Sequence, residues 1–205
     1  MATGPAKMGI RDEVAALKRS RTLSVAVELF YQNGYENTTL EAVAEQMGVT
    51  KPFIYAHFSS KSELLAEICA RGIASSLAEM NSVLPLDLSP TEKLKLLSER
   101  FVTAVLEAQM YIAIFAREEK NLNPADLAKI NVMRRDFDTK LTGLIQEGVD
   151  AREFSVTDPH ITALAIGGMV SWAYVWYREA GRLPLSGVTA EMTNLILSMV
   201  QAKDV

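Results

Sequence analysis

Residues 39–61 read TLEAVAEQMGVTKPFIYAHFSSK, and this stretch decides the fold. Its first half carries apolar residues at the spacing of one helix face, Leu40, Val43, Ala44 and Met47. Residues 38–41 have the spacing of a capping box, Gly48 ends the short helix, and Pro52 follows in the first turn of a second helix, where its missing N–H costs nothing. Two short helices joined by a tight, glycine-containing turn are the pattern of a helix-turn-helix motif, whose second helix enters the DNA major groove.

The rest of the chain keeps the 3.6-residue period, and no run alternates well enough to read as a strand, so we predict an all-α fold. Further helices are expected at about residues 12–32, 61–84, 91–108, 109–120, 125–151, 159–180 and 188–202. We divide the chain into a flexible arm over residues 1–10, a three-helix helix-turn-helix domain over residues 11–60 and a helical domain over residues 61–205.

The composition is that of a globular chain, with 205 residues, 49% hydrophobic residues and a net charge of −4. The single cysteine, Cys69, excludes an internal disulfide, and the N-terminus lacks the apolar core of a secretory signal, so we predict a cytoplasmic protein. The uncharged run 161–177 is short and contains Gly, Ser and Thr, which favours a buried helix over a membrane span. Residues 1–61 hold seven Lys or Arg against six Asp or Glu, which permits DNA binding without requiring it.

The second helix of the motif sorts its residues by phase. Ile54 and Phe58, four residues apart, are expected to face the core, which leaves an outer face of Lys51, Pro52, Phe53, Tyr55 and Ala56. Exposed aromatic side chains on this face have no folding reason, whereas an apolar group can meet a thymine methyl and a tyrosine hydroxyl can reach a phosphate. Lys61 opposes the dipole of the next helix, which indicates a docked phosphate. His57 is either a packed, hydrogen-bonded residue or a phosphate contact.

Read whole, the segment resembles the TetR family of bacterial regulators. The resemblance covers about residues 18–66, and its motifs are Leu29-Phe30, Asn33-Gly34-Tyr35, Thr39 to Ala44, Met47 to Thr50 and Ile54 to Lys61. It implies phosphate contacts from Thr39, Tyr55, His57 and Lys61, and base-edge or groove contacts from Thr50, Lys51, Pro52 and Phe53. Phe53 departs from the small residue common at that position, which favours a thymine contact.

The resemblance also implies a homodimer that reads a pseudo-palindromic double-stranded DNA operator and is released when an effector binds the C-terminal domain. In the last two long helices, Ala165, Gly167, Gly168 and Ser171 permit close helix approach, and an apolar stripe over residues 192–200 offers an interface. The alternative is that this stripe packs inside its own subunit. The family's usual behaviour implies a repressor in the bacterial cytoplasm, associated with the nucleoid.

The C-terminal half resembles the branch of this family that regulates fatty-acid and steroid breakdown. The resemblance covers about residues 117–192, including Arg134 to Phe137 and Trp172 to Arg178. It implies an acyl-CoA thioester as the effector. Phe115, Phe137, Trp172 and Trp176 are suited to an apolar tunnel, and Arg117, Arg134, Arg135 and Arg178 to phosphate groups. These residues are otherwise explained as core aromatics and solvent-exposed ion pairs, and another apolar compound, such as a drug or a steroid, is the alternative effector.

Two other classes of protein compete with a regulator. An enzyme is disfavoured because the sequence has no Walker or dinucleotide-binding glycine pattern and no nucleophile elbow, and His57 and His160 are its only imidazoles. We expect no catalytic residues, no cofactor and no metal site. A helical dimeric carrier or scaffold for apolar ligands would keep the pocket and the dimer and use the helix-turn-helix only structurally.

Overall fold

The computed structural model describes residues 9–202, and within that range the regular structure is entirely helical, so the predicted all-α class is confirmed. The helices are α1 (Ile10–Asn33), α2 (Leu40–Met47), α3 (Lys51–Tyr55), α4 (Lys61–Val83), α5 (Pro90–Glu107), α6 (Gln109–Glu118), a 3₁₀ turn (Glu119–Asn121), α7 (Pro124–Asp150), α8 (Pro159–Ser171), α9 (Ala173–Trp176) and α10 (Leu185–Met199). Most of the predicted flexible arm lies outside the described residues, and Ile10, its last residue, begins α1.

Side-chain caps are present at half of the α-helix starts, although not always where the spacing predicts. Ser89 and Glu92 form a complete capping box at the start of α5. The box expected at residues 38–41 is wrong: Thr39 is the cap and accepts from the Ala42 N–H, while the buried Thr38 hydroxyl lies 3.0 Å from the Gly34 carbonyl. A local spacing therefore locates the helix start to within a residue, and the bonds that Thr38 makes to the preceding residues decide which side chain caps it.

Two hydrophobic clusters fill the molecule, and α4 contributes to both of them. The first cluster joins α1, α2 and α3 to the beginning of α4 and also takes in Ile114, Leu122 and Ile130. The second packs the end of α4 against α5, α7, α8 and α10. Burying each large apolar side chain contributes about 1.5–3 kcal/mol. The 23 residues of α4 thus connect the helix-turn-helix rigidly to the helical body.

The single helix predicted over residues 159–180 is wrong, because the chain bends twice. Helix α8 ends at Ser171, α9 ends at Trp176, and Tyr177 takes an extended conformation with φ −64° and ψ 137°. The side-chain amide of Gln109 donates to the Tyr174 carbonyl at 2.8 Å and to the Tyr177 carbonyl at 3.1 Å. These carbonyls therefore bond to another helix instead of continuing their own.

The apolar stripe on α10 is mostly internal, which corrects the expectation that it supplies the subunit interface. Met192, Ile196 and Val200 are buried in the second cluster, and only Leu195 is well exposed, at 53%. A different stripe stays exposed on α8 and α9, consisting of Ile161, Ala165, Trp172 and Trp176. Among residues 9–202, no helix combines the length and the apolar character that a bilayer span requires.

Candidate functional site

The helix-turn-helix is held in place by its buried face. Gly48 takes φ 66° and ψ 34°, a left-handed conformation in which an L side chain is strained, and so lets the chain reverse between α2 and α3. Ile54 and Phe58 are fully buried, as their phase predicts, and fix the short helix α3 in the first cluster. The opposite face of α3 is left for a partner.

The residues predicted to contact DNA lie around this outer face. Thr39, Thr50, Lys51, Pro52 and Tyr55 are exposed, and Tyr55 keeps 45% of its surface in solvent. Lys51 is paired with Glu41 of α2, and its ammonium also lies 5.6 Å from the centre of the Tyr55 ring. The hydrogen bond from Lys51 lowers the pKa of Glu41, and the same bond raises the pKa of Lys51. Lys51 must leave this carboxylate in order to bind a phosphate or a base.

Phe53, predicted on the outer face, is partly buried, so only part of its ring is accessible to solvent or DNA. Its ring packs edge-on against His57 at 5.4 Å between centroids, and the ammonium of Lys18 in α1 lies 5.5 Å from its centre. His57 is half-buried as well. Both aromatic rings therefore have a packing role in addition to any contact with DNA.

Arg19 of α1 holds the end of α3, and no local sequence signal marks this role. Its guanidinium lies 4.0 Å from the centre of the Phe58 ring, donates to the His57 carbonyl, and pairs with Glu63 and Glu67 of α4. Glu63 in turn accepts from the Ser59 N–H at 2.8 Å. These contacts join α1, the end of α3 and the start of α4 through one cation.

Lys61 is engaged within the protein. Its ammonium donates to the Tyr35 carbonyl at 2.9 Å and lies 4.2 Å from the centre of the Tyr35 ring. The residue thus joins the start of α4 to the loop between α1 and α2. This arrangement gives the cation a structural reason to stand in a first helical turn, apart from any phosphate.

A cavity of about 310 Å³ lies in the helical body between α4, α5, α6, α7 and α8. Its lining comprises Cys69, Gly72, Ile73, Ser76, Phe101, Val105, Ile112, Phe115, Ile130, Arg134, Phe137, Asp138, Leu164, Gly167, Gly168 and Ser171. Its size is at the lower end of ligand pockets, and its lining, mostly apolar with a few polar groups, has their usual character.

Two charged side chains, Arg134 and Asp138, stand one turn apart on α7 at this cavity. The guanidinium of Arg134 lies 5.5 Å from the centre of the Phe115 ring. Burial raises the pKa of the Asp138 carboxyl, against the attraction of Arg134 and His160. Burial, assisted by the nearby carboxylates of Glu118 and Glu119, raises the pKa of the Cys69 thiol to about 12, so the thiol stays protonated and acts as an apolar wall.

The structure brings three of the eight predicted effector residues, Phe115, Arg134 and Phe137, into one lining. The other five, Arg117, Arg135, Trp172, Trp176 and Arg178, lie outside it. Trp172 and Trp176 are 60% and 48% exposed on the far side of the bend. Arg178 bonds the Val175 and Tyr177 carbonyls. The lining residues from α4, such as Gly72 and Ser76, were missed because nothing in the linear sequence marks them.

The C-terminal end of α6 connects the cavity to the helix-turn-helix. While Ile112 and Phe115 line the cavity, Arg117 lies 5.1 Å from the centre of the Tyr31 ring in α1. The Glu118 carboxylate accepts from the backbone N–H of Tyr35 at 3.3 Å. A displacement of α6 would therefore change these contacts at the end of α1.

Two family models match the chain and together cover most of it. The model described as "Bacterial regulatory proteins, tetR family" matches residues 23–68, and "Tetracyclin repressor-like, C-terminal domain" matches residues 87–200. The second model alone spans more than half of the chain. The first contains the whole helix-turn-helix, and the second contains most of the helices around the cavity.

Full-length relatives agree with these matches. The transcriptional repressor KstR2 of Rhodococcus jostii is 22% identical over 88% of this chain and 89% of its own. The fatty acid metabolism regulator protein of Bacillus subtilis is 23% identical over 91% of this chain and 97% of its own.

Among solved structures, AibR in complex with isovaleryl coenzyme A and operator DNA has the same fold, with a TM-score of 0.76, 21% identity and coverage of 91% of this chain and 100% of AibR. Both family models describe regulatory proteins or repressors and KstR2 is a transcriptional repressor, which confirms the expectation that the protein is not an enzyme. The chain belongs to the tetR family of bacterial regulatory proteins and is a DNA-binding transcriptional regulator.

Proposed function

We propose that this protein is a homodimeric repressor that binds a pseudo-palindromic operator and is released by an acyl-CoA thioester. Residues 11–60 form the DNA-reading domain and residues 61–205 the effector-binding and dimerisation domain. The observation that carries the proposal is the position of the cavity. It borders α4, whose first turn is tied through Glu63 and Arg19 to the end of the DNA-reading helix.

DNA reading rests on the outer face of α3 and its surroundings. Thr50, Lys51, Pro52 and Phe53 lie where a helix in the major groove meets base edges, and Thr39, Tyr55 and His57 flank them toward the phosphates. Lys61 binds a phosphate only if its ammonium gives up the Tyr35 carbonyl. Half-sites about one helical turn of DNA apart, or slightly more, fit a two-fold dimer.

The homodimer uses the exposed stripe of α8 and α9. Ile161 and Trp172 are 59% and 60% exposed, and large exposed apolar side chains close together on a surface are typical of an interface. Ala165 is the small residue of the stripe and permits close approach of a partner helix. Leu195 of α10 is also exposed, and we assign it to the same interface. The two reading heads are then held at a fixed separation by α4.

The cavity suits a ligand with an apolar tail and an anionic head. Phe115 and Phe137 supply aromatic wall, and Arg134 can make forked hydrogen bonds with phosphate oxygens. The solved complex of AibR, which has the same fold, contains isovaleryl coenzyme A, and this supports a CoA thioester for the present chain. Phe115, Arg134 and Phe137 are therefore the ligand contacts of this proposal.

Release follows from a difference in affinity between two conformations. A ligand that fits the cavity only when α4 and α6 have shifted stabilises the DNA-incompetent spacing of the two heads. Coupling between two such sites is typically about 1–3 kcal/mol, equivalent to a 5–150-fold change in DNA affinity.

The test is a fluorescence anisotropy titration with an operator selected in vitro by the purified protein from random duplexes. Butyryl-CoA, decanoyl-CoA and oleoyl-CoA are compared with free CoA, the free acids and a steroid. We expect at least one thioester to weaken DNA binding 5–150-fold, and Arg134→Gln to reduce that response. Arg135→Gln is the matched control, because Arg135 is an exposed neighbour that does not line the cavity.

Each other outcome contradicts a different part of the proposal. A response to the steroid or another apolar compound, with none to any thioester, would replace the acyl-CoA by the alternative effector. Ligand binding without any sequence-specific DNA binding would favour the carrier or scaffold. An increase in DNA affinity on thioester binding would replace release by activation of binding.

A further inference from the structure

The first turns of α1 project from the protein without packing against it. Every residue from Ile10 to Lys18 is exposed, and Thr22 is the first buried residue of the helix. These nine residues extend the helix by about 13 Å at 1.5 Å per residue. A helical segment that buries nothing gains little stability of its own, because most helical stability in proteins comes from packing.

The charges of this segment are sorted by face. Arg11 and Lys18 of this segment, together with Arg21 one turn further along α1, fall within an arc of roughly 80° on the helical wheel, because seven residues nearly complete two turns. Asp12 and Glu13 lie roughly 120–140° away from Lys18 on the same wheel. One face of the projecting helix is therefore basic, and the acidic residues are turned away from it.

This basic face continues the DNA-reading surface. Lys18 lies beside Phe53 of α3, at 5.5 Å from the ring centre, so the row of cations passes the recognition helix at Lys18 and runs outward along α1 to Arg11. Between residues 9 and 202, no carboxylate lies within 4 Å of the cations of Arg11, Lys18 or Arg21. Arg19, one residue from Lys18, is by contrast fully committed to Glu63 and Glu67.

We propose that this face of α1, defined by Arg11, Lys18 and Arg21, binds backbone phosphates of the operator outside the base pairs that α3 reads. Duplex DNA carries a phosphate about every 3.4 Å along each strand, so a basic row of this length can reach more than one. The contact is electrostatic and independent of base sequence. The proposal rests on the DNA-binding function and adds a second contact region, on the flanks of each half-site.

The test uses the full chain, with all three cations replaced by glutamine. The matched control replaces three exposed cations of the helical body, Lys95, Arg135 and Arg182, so that both variants lose the same charge. Binding is measured on the selected operator between 50 and 200 mM salt, first with long flanks and then with duplexes trimmed to the half-sites. Helix content and thermal midpoint are measured for both variants.

We expect the α1 variant to bind the long operator at least 10-fold more weakly than the control does. The slope of log affinity against log salt should become shallower by about 1.8 if one phosphate contact per subunit is lost, and by about 5 if all three are lost. Trimming the flanks should weaken the wild type and remove its advantage over the α1 variant.

Equal affinity and equal salt slopes for the two variants would overturn the proposal. A deficit of the α1 variant that persists on trimmed duplexes would also overturn it, because the cations would then act inside the half-site. If the wild type selects no operator at all, the DNA-binding function fails first and this contact fails with it.

Discussion

Gly167→Leu should close the cavity and make the protein insensitive to its effector. A Cβ built on Gly167 meets no atom within 4 Å, and the residue lines the cavity, so the new side chain can occupy that space. Gly143 of α7 also has nothing within 4 Å of an added Cβ, but it lies on the exposed surface away from the cavity. Gly143→Leu is therefore the matched control.

Both variants should be more stable than the wild type. Glycine in a helix interior costs about 0.5–1 kcal/mol relative to residues such as alanine or leucine. For a chain of this length, 1 kcal/mol corresponds to about 2–4 °C in the thermal midpoint. We therefore expect similar increases for the two substitutions, measured by differential scanning calorimetry without ligand.

Only Gly167→Leu should lose the ligand response. Forcing a ligand past an added side chain typically costs about 1–3 kcal/mol, which corresponds to roughly a 5–150-fold loss in affinity. At decanoyl-CoA concentrations 100 times the wild-type Kd, binding stabilises the wild type by about 2.7 kcal/mol, and a variant that binds 100-fold more weakly by about 0.4 kcal/mol. Gly143→Leu should keep the full shift.

The two variants should also differ in whether decanoyl-CoA releases them from the operator. Gly167→Leu should bind the operator as tightly as the wild type and stay bound when decanoyl-CoA is added, whereas Gly143→Leu should be released. Light scattering checks that both remain dimers, because Gly167 lies on the same helix as the exposed apolar stripe. Equal ligand shifts in the two variants would refute the assignment of this cavity to the effector.

Three further substitutions test individual contacts. Gly148→Ala should lower the free energy of unfolding by about 1–3 kcal/mol or more in urea titrations, because its Cβ would lie 2.0 Å from an atom of the Phe154 ring; an unchanged midpoint would contradict this packing. Asp138→Asn should be more stable than the wild type at pH 7. Burial raises the folded-state pKa of Asp138 above its unfolded value, so the wild type gains stability relative to the variant as pH falls through the folded pKa. If the free energies of unfolding of the wild type and the variant are equal at every pH, this reasoning is wrong. Arg19→Gln should weaken operator binding about 5–20-fold, because it removes the bond to the His57 carbonyl that holds the end of α3. The loss in free energy of unfolding, measured from the thermal midpoint, should be smaller than the loss in free energy of DNA binding; a larger loss in unfolding would make Arg19 a stability residue only.

The helix-turn-helix could be predicted from sequence because its signals are local. The left-handed glycine at residue 48, the proline that opens α3 and the four-residue spacing of Ile54 and Phe58 act within a few residues of one another. Local rules also placed the ends of most other helices within a few residues. They failed at the bend after Ser171, where the Gln109 side chain, 65 residues away from Tyr174, donates hydrogen bonds to carbonyl groups that would otherwise continue the helix.

Which residues line the cavity was decided by tertiary structure. Phe137 and Trp172 read alike in the sequence, as aromatic residues on helices, yet one is buried in the lining and the other is mostly in solvent. Similarly, Lys18 and Arg19 are adjacent cations, but only the position of α3 and α4 determines that one lies beside Phe53 and the other is bound to carboxylates.

The sequence by itself determined the all-helical class, the DNA-reading motif and the family, because capping, turn formation and helical phase depend on neighbours along the chain. Only the tertiary structure decided where the cavity lies and which cations remain available for DNA. Those properties depend on how helices that are distant in sequence cross one another, and a change of a few ångströms in that packing exchanges lining residues for surface residues without altering any local pattern.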